Sequence, residues 1–191
     1  MSSVRQKVAL QFIVSNLALV ANFVLTIVLA RLLSPQDIGI FSMSAVLMAV
    51  AHVFRDFGVT SFIKREKELT PDSLSSALGV LLITSWSVAA LMFLSAPYWA
   101  HFFHEARVVP VVQVLALGFV FIPFGAIPMA IISREMDVKK SATIGAVATV
   151  VYFGASVGLA LAGFGPMTMA WANLINIIVT GAMARRALGR S

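Results

Sequence analysis

Residues 8–33 read VALQFIVSNLALVANFVLTIVLARLL, with no acidic residue and one basic residue, Arg31, close to the end. A helix rises 1.5 Å per residue, so crossing a hydrocarbon layer of about 30 Å takes roughly 20 residues. This stretch is long enough and apolar enough to do so. Comparable runs follow near 38–63, 76–103, 108–132, 141–164 and 167–184. The runs are near-continuous, whereas a membrane strand would alternate over about ten residues, so helices are expected rather than a barrel. Of the 191 residues, 60% are apolar and 12% are charged, more apolar surface than one water-facing core can hide. The expected fold is an all-α integral membrane bundle of six transmembrane helices.

Short breaks separate the runs. In Ser34-Pro35-Gln36-Asp37, serine suits a helix cap, proline the first helical position, and aspartate the positive end of the helix dipole. Leu69-Thr70-Pro71-Asp72 repeats the cue before the third span, and Gly163-Phe164-Gly165-Pro166 makes a tight turn before the sixth. Of the 14 Lys and Arg, all but Arg31, Arg55 and Arg107 fall on one side of the six spans. By the positive-inside rule that side, with both termini, is expected to be cytoplasmic. Arg5 and Lys7 precede a first run too long for a signal-peptide core, which reads as a retained anchor. Tyr98, Trp99 and Trp171 fall near the opposite interface, where amphipathic rings are favoured.

The net charge of +6 comes without an aromatic-interleaved basic module, so nucleic acid is not indicated. Cysteine is absent, which excludes disulfides and thiolate metal sites. His101, His104 and Glu105 are too few and too loosely spaced for a metal site, and an exposed amphipathic loop is the preferred reading. No hydroxyl has a paired base and orienting acid, and Gly163-x-Gly165 ends in proline rather than a phosphate-cradling helix start. No metal, cofactor or enzymatic activity is expected.

Polar residues inside the spans carry the functional signal. Gln11, Ser15, Asn22 and Thr26 step by four, seven and four along one helical stripe. Thr149, Tyr152 and Ser156 form a second stripe, and Asn173, Asn176 and Thr180 a third. Two readings stand: hydrogen bonds between helices, or the wall of a hydrated cavity. Three stripes in one small bundle favour the cavity. His52, Arg55 and Asp56 share a face of the second span, where buried charge points to function unless Arg55 snorkels to the interface beside Lys64. Read functionally, Arg55 attracts an anionic headgroup, and Asp56 or His52 binds a coupling cation or proton. Pro123 and Pro128, beside Gly118 and Gly125, are expected to kink the fourth span. Gly154, Gly158 and Ala162 are expected to pack closely against a neighbouring helix.

Several segments, in order, resemble the polysaccharide and O-antigen flippase family of the multidrug, oligosaccharidyl-lipid and polysaccharide exporter superfamily. Ala30-Arg31-Leu32-Leu33-Ser34-Pro35-Gln36-Asp37-Ile38-Gly39-Ile40-Phe41 is similar to that family's A-R-x-L-(S/T)-x-x-D-(F/Y)-G-x-(F/Y). Asp56-Phe57-Gly58, Ile63-Lys64-Arg65, Leu69-Thr70, Arg134-Glu135-Met136-Asp137-Val138-Lys139 and Gly163-Phe164-Gly165 before Trp171 continue the likeness. The resemblance implies a transporter that flips a polyprenyl-pyrophosphate-linked oligosaccharide across the bacterial cytoplasmic membrane by alternating access. It implies two six-helix lobes around a cationic cavity. This chain matches one lobe, so a second six-helix lobe or a second copy is the expected partner. The substrate-binding residues the resemblance points to are Arg55 and, second, Arg31, and the polar stripes add Asn22, Asn173 and Asn176 as wall; Arg31 also reads as an interface anchor. A multidrug or cation-coupled exporter lobe and a truncated, inactive scaffold or remnant are the alternatives.

Overall fold

The computed structural model describes residues 4–55, 71–134 and 137–189, with side chains over 12–53, 75–134 and 137–189. Six helices account for nearly all of them: α1 (Val4–Leu32), α2 (Pro35–Arg55), α3 (Pro71–Phe103), α4 (Val108–Arg134), α5 (Val138–Leu161) and α6 (Met167–Leu188). All six are long and apolar enough to cross a membrane, and no strand occurs among the described residues. The chain is a multi-pass membrane protein. Phe12, Leu17, Phe23, Val53, Ile83, Leu94 and Val150 lie on the outside of the bundle, at 59% exposure or more, a distribution that requires lipid as solvent.

The ends of the helices follow from local chemistry. The Ser34 hydroxyl accepts from the Asp37 amide at 3.1 Å, and the Asp37 carboxylate accepts from the Ser34 hydroxyl at 2.7 Å and its amide at 3.3 Å. This reciprocal cap starts α2 at Pro35, as its sequence predicts. Span five, expected to reach Phe164, stops at Leu161. Gly163 adopts φ +79°, and the amides of Phe164 and Gly163 donate to the carbonyls of Leu159 and Ala160 at 3.2 and 3.0 Å. That pair of bonds closes the helix, and the positive φ is why glycine stands there. α3 ends the same way with His104 in the left-handed region at φ 53°, where the Glu105 amide donates to the Ala100 carbonyl at 3.0 Å. The expected continuation of span two to Ile63 lies outside the described residues.

Packing is centred on α4 and α6. These two helices share the longest contact; α3 packs on α4, α5 on α6, and α1 on α5. α2 rests on α4 and α3 and touches α6. α1 and α2 leave a common turn for different partners and barely meet among the described residues. The largest buried cluster gathers Val111, Val112, Leu115 and Phe119 of α4 with Ile40 and Ala51 of α2 and Ala89, Met92 and Ala96 of α3. Leu25, Leu29 and Leu33 seat α1 on Ala160 and Tyr152 of α5.

α4 runs helical through both Pro123 and Pro128, which sit inside it rather than interrupting it. The glycines expected to make the close helix contact do not make it. Cβ atoms added at Gly154 and Gly158 would meet nothing within 4 Å, because α5 turns Tyr152, Val157 and Ala160 toward α1 and leaves those glycines outside. The close contact is Gly125 against Gly181: a Cβ on Gly125 would lie 2.7 Å from the Gly181 Cα. Backbone meets backbone where α4 crosses α6.

Candidate functional site: the α4–α6 crossing

The three turns between α1 and α2, α3 and α4, and α5 and α6 meet at one end of the bundle. Arg107 reaches Asp37 at 3.6 Å and Glu105 at 3.1 Å, and Asp37 lies against Gly165. The Arg107 hydrogen bonds hold the Glu105 carboxyl below its ordinary value, and Gln36 adds a smaller contribution. This turn end is therefore tied together by charge. At the opposite, basic end stand Arg134, Lys139, Lys140, Arg185 and Arg186.

Between the two ends, the Gly125–Gly181 contact divides the α4–α6 seam. On one side lies a cavity of about 370 Å³. Its polar groups are Asn176 and Thr180 of α6 and Ser133 of α4; Ala126, Met129 and Ala130 supply apolar wall. Asn176 sits near the middle of α6, hence near mid-membrane. Its Oδ1 is buried and accepts no hydrogen bond. An amide oxygen left without a donor in a low-dielectric site costs about 1–3 kcal/mol.

The residues singled out from sequence distribute unevenly. Asn176 and Thr180 come together in this cavity, whereas Asn173 is half-buried one turn away. Asn22 is exposed on α1 and donates to the Ala18 carbonyl at 2.8 Å, and Thr26 donates to the Asn22 carbonyl at 2.9 Å. These two residues bond within their own helix. In α5, Thr149 likewise bonds the Gly145 carbonyl at 2.9 Å, while Tyr152 packs beneath α1. Among the described stripe residues, Asn176 and Thr180 line the α4–α6 cavity, while Asn22, Thr26 and Thr149 bond within their own helices.

His52 lies on Phe119 with ring centroids 4.9 Å apart. Phe119 precedes Ile122, which lines the Asn176 cavity, by one helical turn; His52 itself does not line it. Arg31 is exposed in the last turn of α1, at the turn end and away from the cavity. α2 is described as far as Arg55, whose side chain, like that of Gln11, lies outside the described residues, as does Asp56. Among the described residues no group of His, Asp and Glu is placed to hold a metal.

Two features escaped the sequence reading. Ser133 is one, a single hydroxyl in the last turn of α4 with no stripe to flag it. The other is Arg185, whose Nε donates to the Phe124 carbonyl at 3.0 Å, 61 residues away. In a helix that carbonyl would accept from the amide of residue 128, which is proline and has none. Arg185 replaces the missing donor, and its guanidinium lies 5.0 Å over the Phe124 ring. A proline in a span, read for the carbonyl it frees four residues back, is the signal that could have pointed to such a partner.

The model of a family described as polysaccharide biosynthesis protein matches residues 28–187, the segment that holds the turn cluster and the α4–α6 seam. The chain belongs to that family. Its curated relatives include the lipopolysaccharide biosynthesis protein WzxC of Escherichia coli (strain K12), 27% identical over 142 residues. That alignment covers 74% of this chain and 28% of WzxC. A second relative is an uncharacterized membrane protein in the cps region of Klebsiella pneumoniae, 26% identical over 130 residues, covering 62% of this chain and 24% of the relative. The chain therefore matches about a quarter of the length of these relatives. No solved structure matches it.

Proposed function

We propose that the chain forms one six-helix lobe of a transporter that moves a lipid-linked oligosaccharide across the cytoplasmic membrane by alternating access. The basic end then faces the cytoplasm, following the positive-inside rule. Family membership supports the polysaccharide connection. The observation that carries the transport reading is the Asn176 cavity, which gathers Asn176, Thr180 and Ser133 on the α4–α6 seam near the middle of α6. Sugars cannot cross hydrocarbon unaided, because each stripped hydroxyl loses its hydrogen bonds to water. Asn176, Thr180 and Ser133 would replace part of that hydration while the lipid tail stays in the bilayer.

In this reading Arg55, with Arg31 second, attracts the pyrophosphate, and Asp56 or His52 couples a cation or proton. Asn22 and Asn173 flank the path. A second six-helix lobe, or a second copy of this one, completes the cavity. Ser15, Asn22 and Thr26 of α1 are exposed among the described residues, which supports a face turned toward such a partner.

Asn176→Leu in the complete transporter tests the reading. Removing a buried, unpaired oxygen should leave the folded protein as stable as the parent or about 1 kcal/mol more so. Surface glycan should fall by about tenfold or more, equivalent to ~1.4 kcal/mol in the transport step, while lipid-linked oligosaccharide accumulates in the cytoplasmic leaflet. Full glycan export by a stable Asn176→Leu protein would refute the role. Drug sensitivity without accumulation of lipid-linked sugar would point to an exporter of a different cargo.

A further inference from the structure

On the other side of the Gly125–Gly181 contact, α4 and α6 bound a second groove of about 500 Å³. Its walls are apolar, chiefly Phe121, Phe124, Ile177 and Ile178, and Arg185 and Arg186 line it toward the basic end. It holds both cations of the last turn of α6, whereas the Asn176 cavity holds none. Arg186 also lines a neighbouring groove of about 450 Å³ between α5 and α6, together with Lys139 and Lys140. Four cations thus rim two adjoining grooves, and neither groove is lined by a carboxylate among the described residues. Lys140 is partly neutralised by Asp137 at 3.6 Å.

Arg185 is more than a surface charge. Its Nε is spent on the Phe124 carbonyl that Pro128 leaves free, and its guanidinium rests on the Phe124 ring. The plane of the group is thereby fixed, and the two terminal nitrogens retain their donors. A guanidinium presented in this way matches two oxygens of a phosphate, at a reduced entropic cost of ordering the side chain. The groove runs from Arg185 and Arg186 back to Phe121, Ile177 and Ile178 and offers apolar surface along which an acyl chain can lie. Basic pockets between membrane helices are suited to anionic headgroups on these grounds.

We propose that the α4–α6 groove headed by Arg185 and Arg186 binds the phosphate-bearing headgroup of an anionic phospholipid. The ligand chemistry is a phosphodiester without a compensating ammonium, since Lys139 and Lys140 would repel the positive end of a zwitterionic headgroup. The site lies across the Gly125–Gly181 contact from the Asn176 cavity.

The test uses the purified chain in neutral detergent, titrated with short-chain phosphatidylglycerol, phosphatidylcholine or inorganic phosphate, with bound ligand counted by native mass spectrometry. Phosphatidylglycerol should bind about tenfold more tightly than phosphatidylcholine, and inorganic phosphate should compete only at far higher concentration. Arg185→Gln, which can still donate to the Phe124 carbonyl, and Arg186→Gln, whose side chain makes no hydrogen bond among the described residues, should each reduce that preference several-fold. If Arg185→Gln fails to fold, Arg186→Gln decides alone. Equal binding of the two lipids by the parent chain overturns the proposal, as does an undiminished preference in the folded variants. Displacement by inorganic phosphate at lipid-like concentrations would mark a site for free phosphate and overturn the lipid assignment.

Discussion

Replacing Gly125 by alanine places a Cβ 2.7 Å from the Gly181 Cα and 3.4 Å from its nitrogen. Carbon atoms prefer about 3.5–4.0 Å, so α4 and α6 must separate by roughly 1 Å at this point. Overpacking of this kind costs about 1–3 kcal/mol. Alanine simultaneously favours a helix over glycine by about 1 kcal/mol, which masks part of the cost. Gly158→Ala isolates the two effects, because its Cβ would meet nothing within 4 Å and only the helix preference remains. The difference between the two variants cancels that preference. Gly125→Ala should therefore be less stable than Gly158→Ala by about 1–3 kcal/mol, a factor of roughly 5 to 150 in the unfolding equilibrium. Gly181→Ala should fall between them, since its Cβ meets Gly125 at 3.4 and 3.5 Å. Reversible unfolding in mixed micelles of neutral and ionic detergent measures all three. Equal stability of Gly125→Ala and Gly158→Ala would show that the α4–α6 backbones do not touch where the structure places them.

The Arg185–Phe124 hydrogen bond predicts a specific coupling: Arg185→Leu should cost about 0.5–1.5 kcal/mol in the parent chain. In a Pro128→Ala background the restored amide serves the carbonyl, and most of that cost should disappear in a double-mutant cycle; an unchanged cost would exclude the exchange of donors. At the turn end, Glu105 titrates below its ordinary value because Arg107 hydrogen-bonds its charged form. A depressed carboxylate stabilises the folded turn at pH above its unfolded value, ~4.3, and that contribution is lost as pH falls through the lower, folded value. Amide exchange across residues 104–108, corrected for its intrinsic pH dependence, should accelerate in that acid window, and Glu105→Gln should flatten the response. A parent profile already flat there would remove Arg107 as the partner.

The six helices were legible because each apolar run must satisfy its own backbone bonds in lipid, so length and composition suffice. The start of α2 was legible too, since Ser34, Pro35 and Asp37 act within one turn of chain. What could not be read was which helices touch. Gly154 and Gly158 carry the same local signal as Gly125 and Gly181, and only the choice of α1 and α6 as neighbours of α5 leaves the first pair outside. The same limit applied to the polar stripes. Periodicity places Asn22, Thr149 and Asn176 on faces of their own helices; it does not say that the first two bond their own backbones and that Asn176 enters a cavity. Arg185, counted as a marker of orientation, gained a structural partner only through a proline one helix away.

If the α4–α6 seam is the proposed transport path, Thr180 must meet both water and the oligosaccharide. Because the chain has no cysteine, a single Thr180→Cys substitution reports on that path without interference. In membranes, with the complete transporter, it should react with a small water-soluble maleimide, and lipid-linked oligosaccharide should slow the reaction. Ile83→Cys, on the outer face of α3, should stay unreactive in lipid. If Thr180→Cys proves as inert as Ile83→Cys, or reacts at the same rate with and without the lipid-linked sugar, the seam is not the transport path.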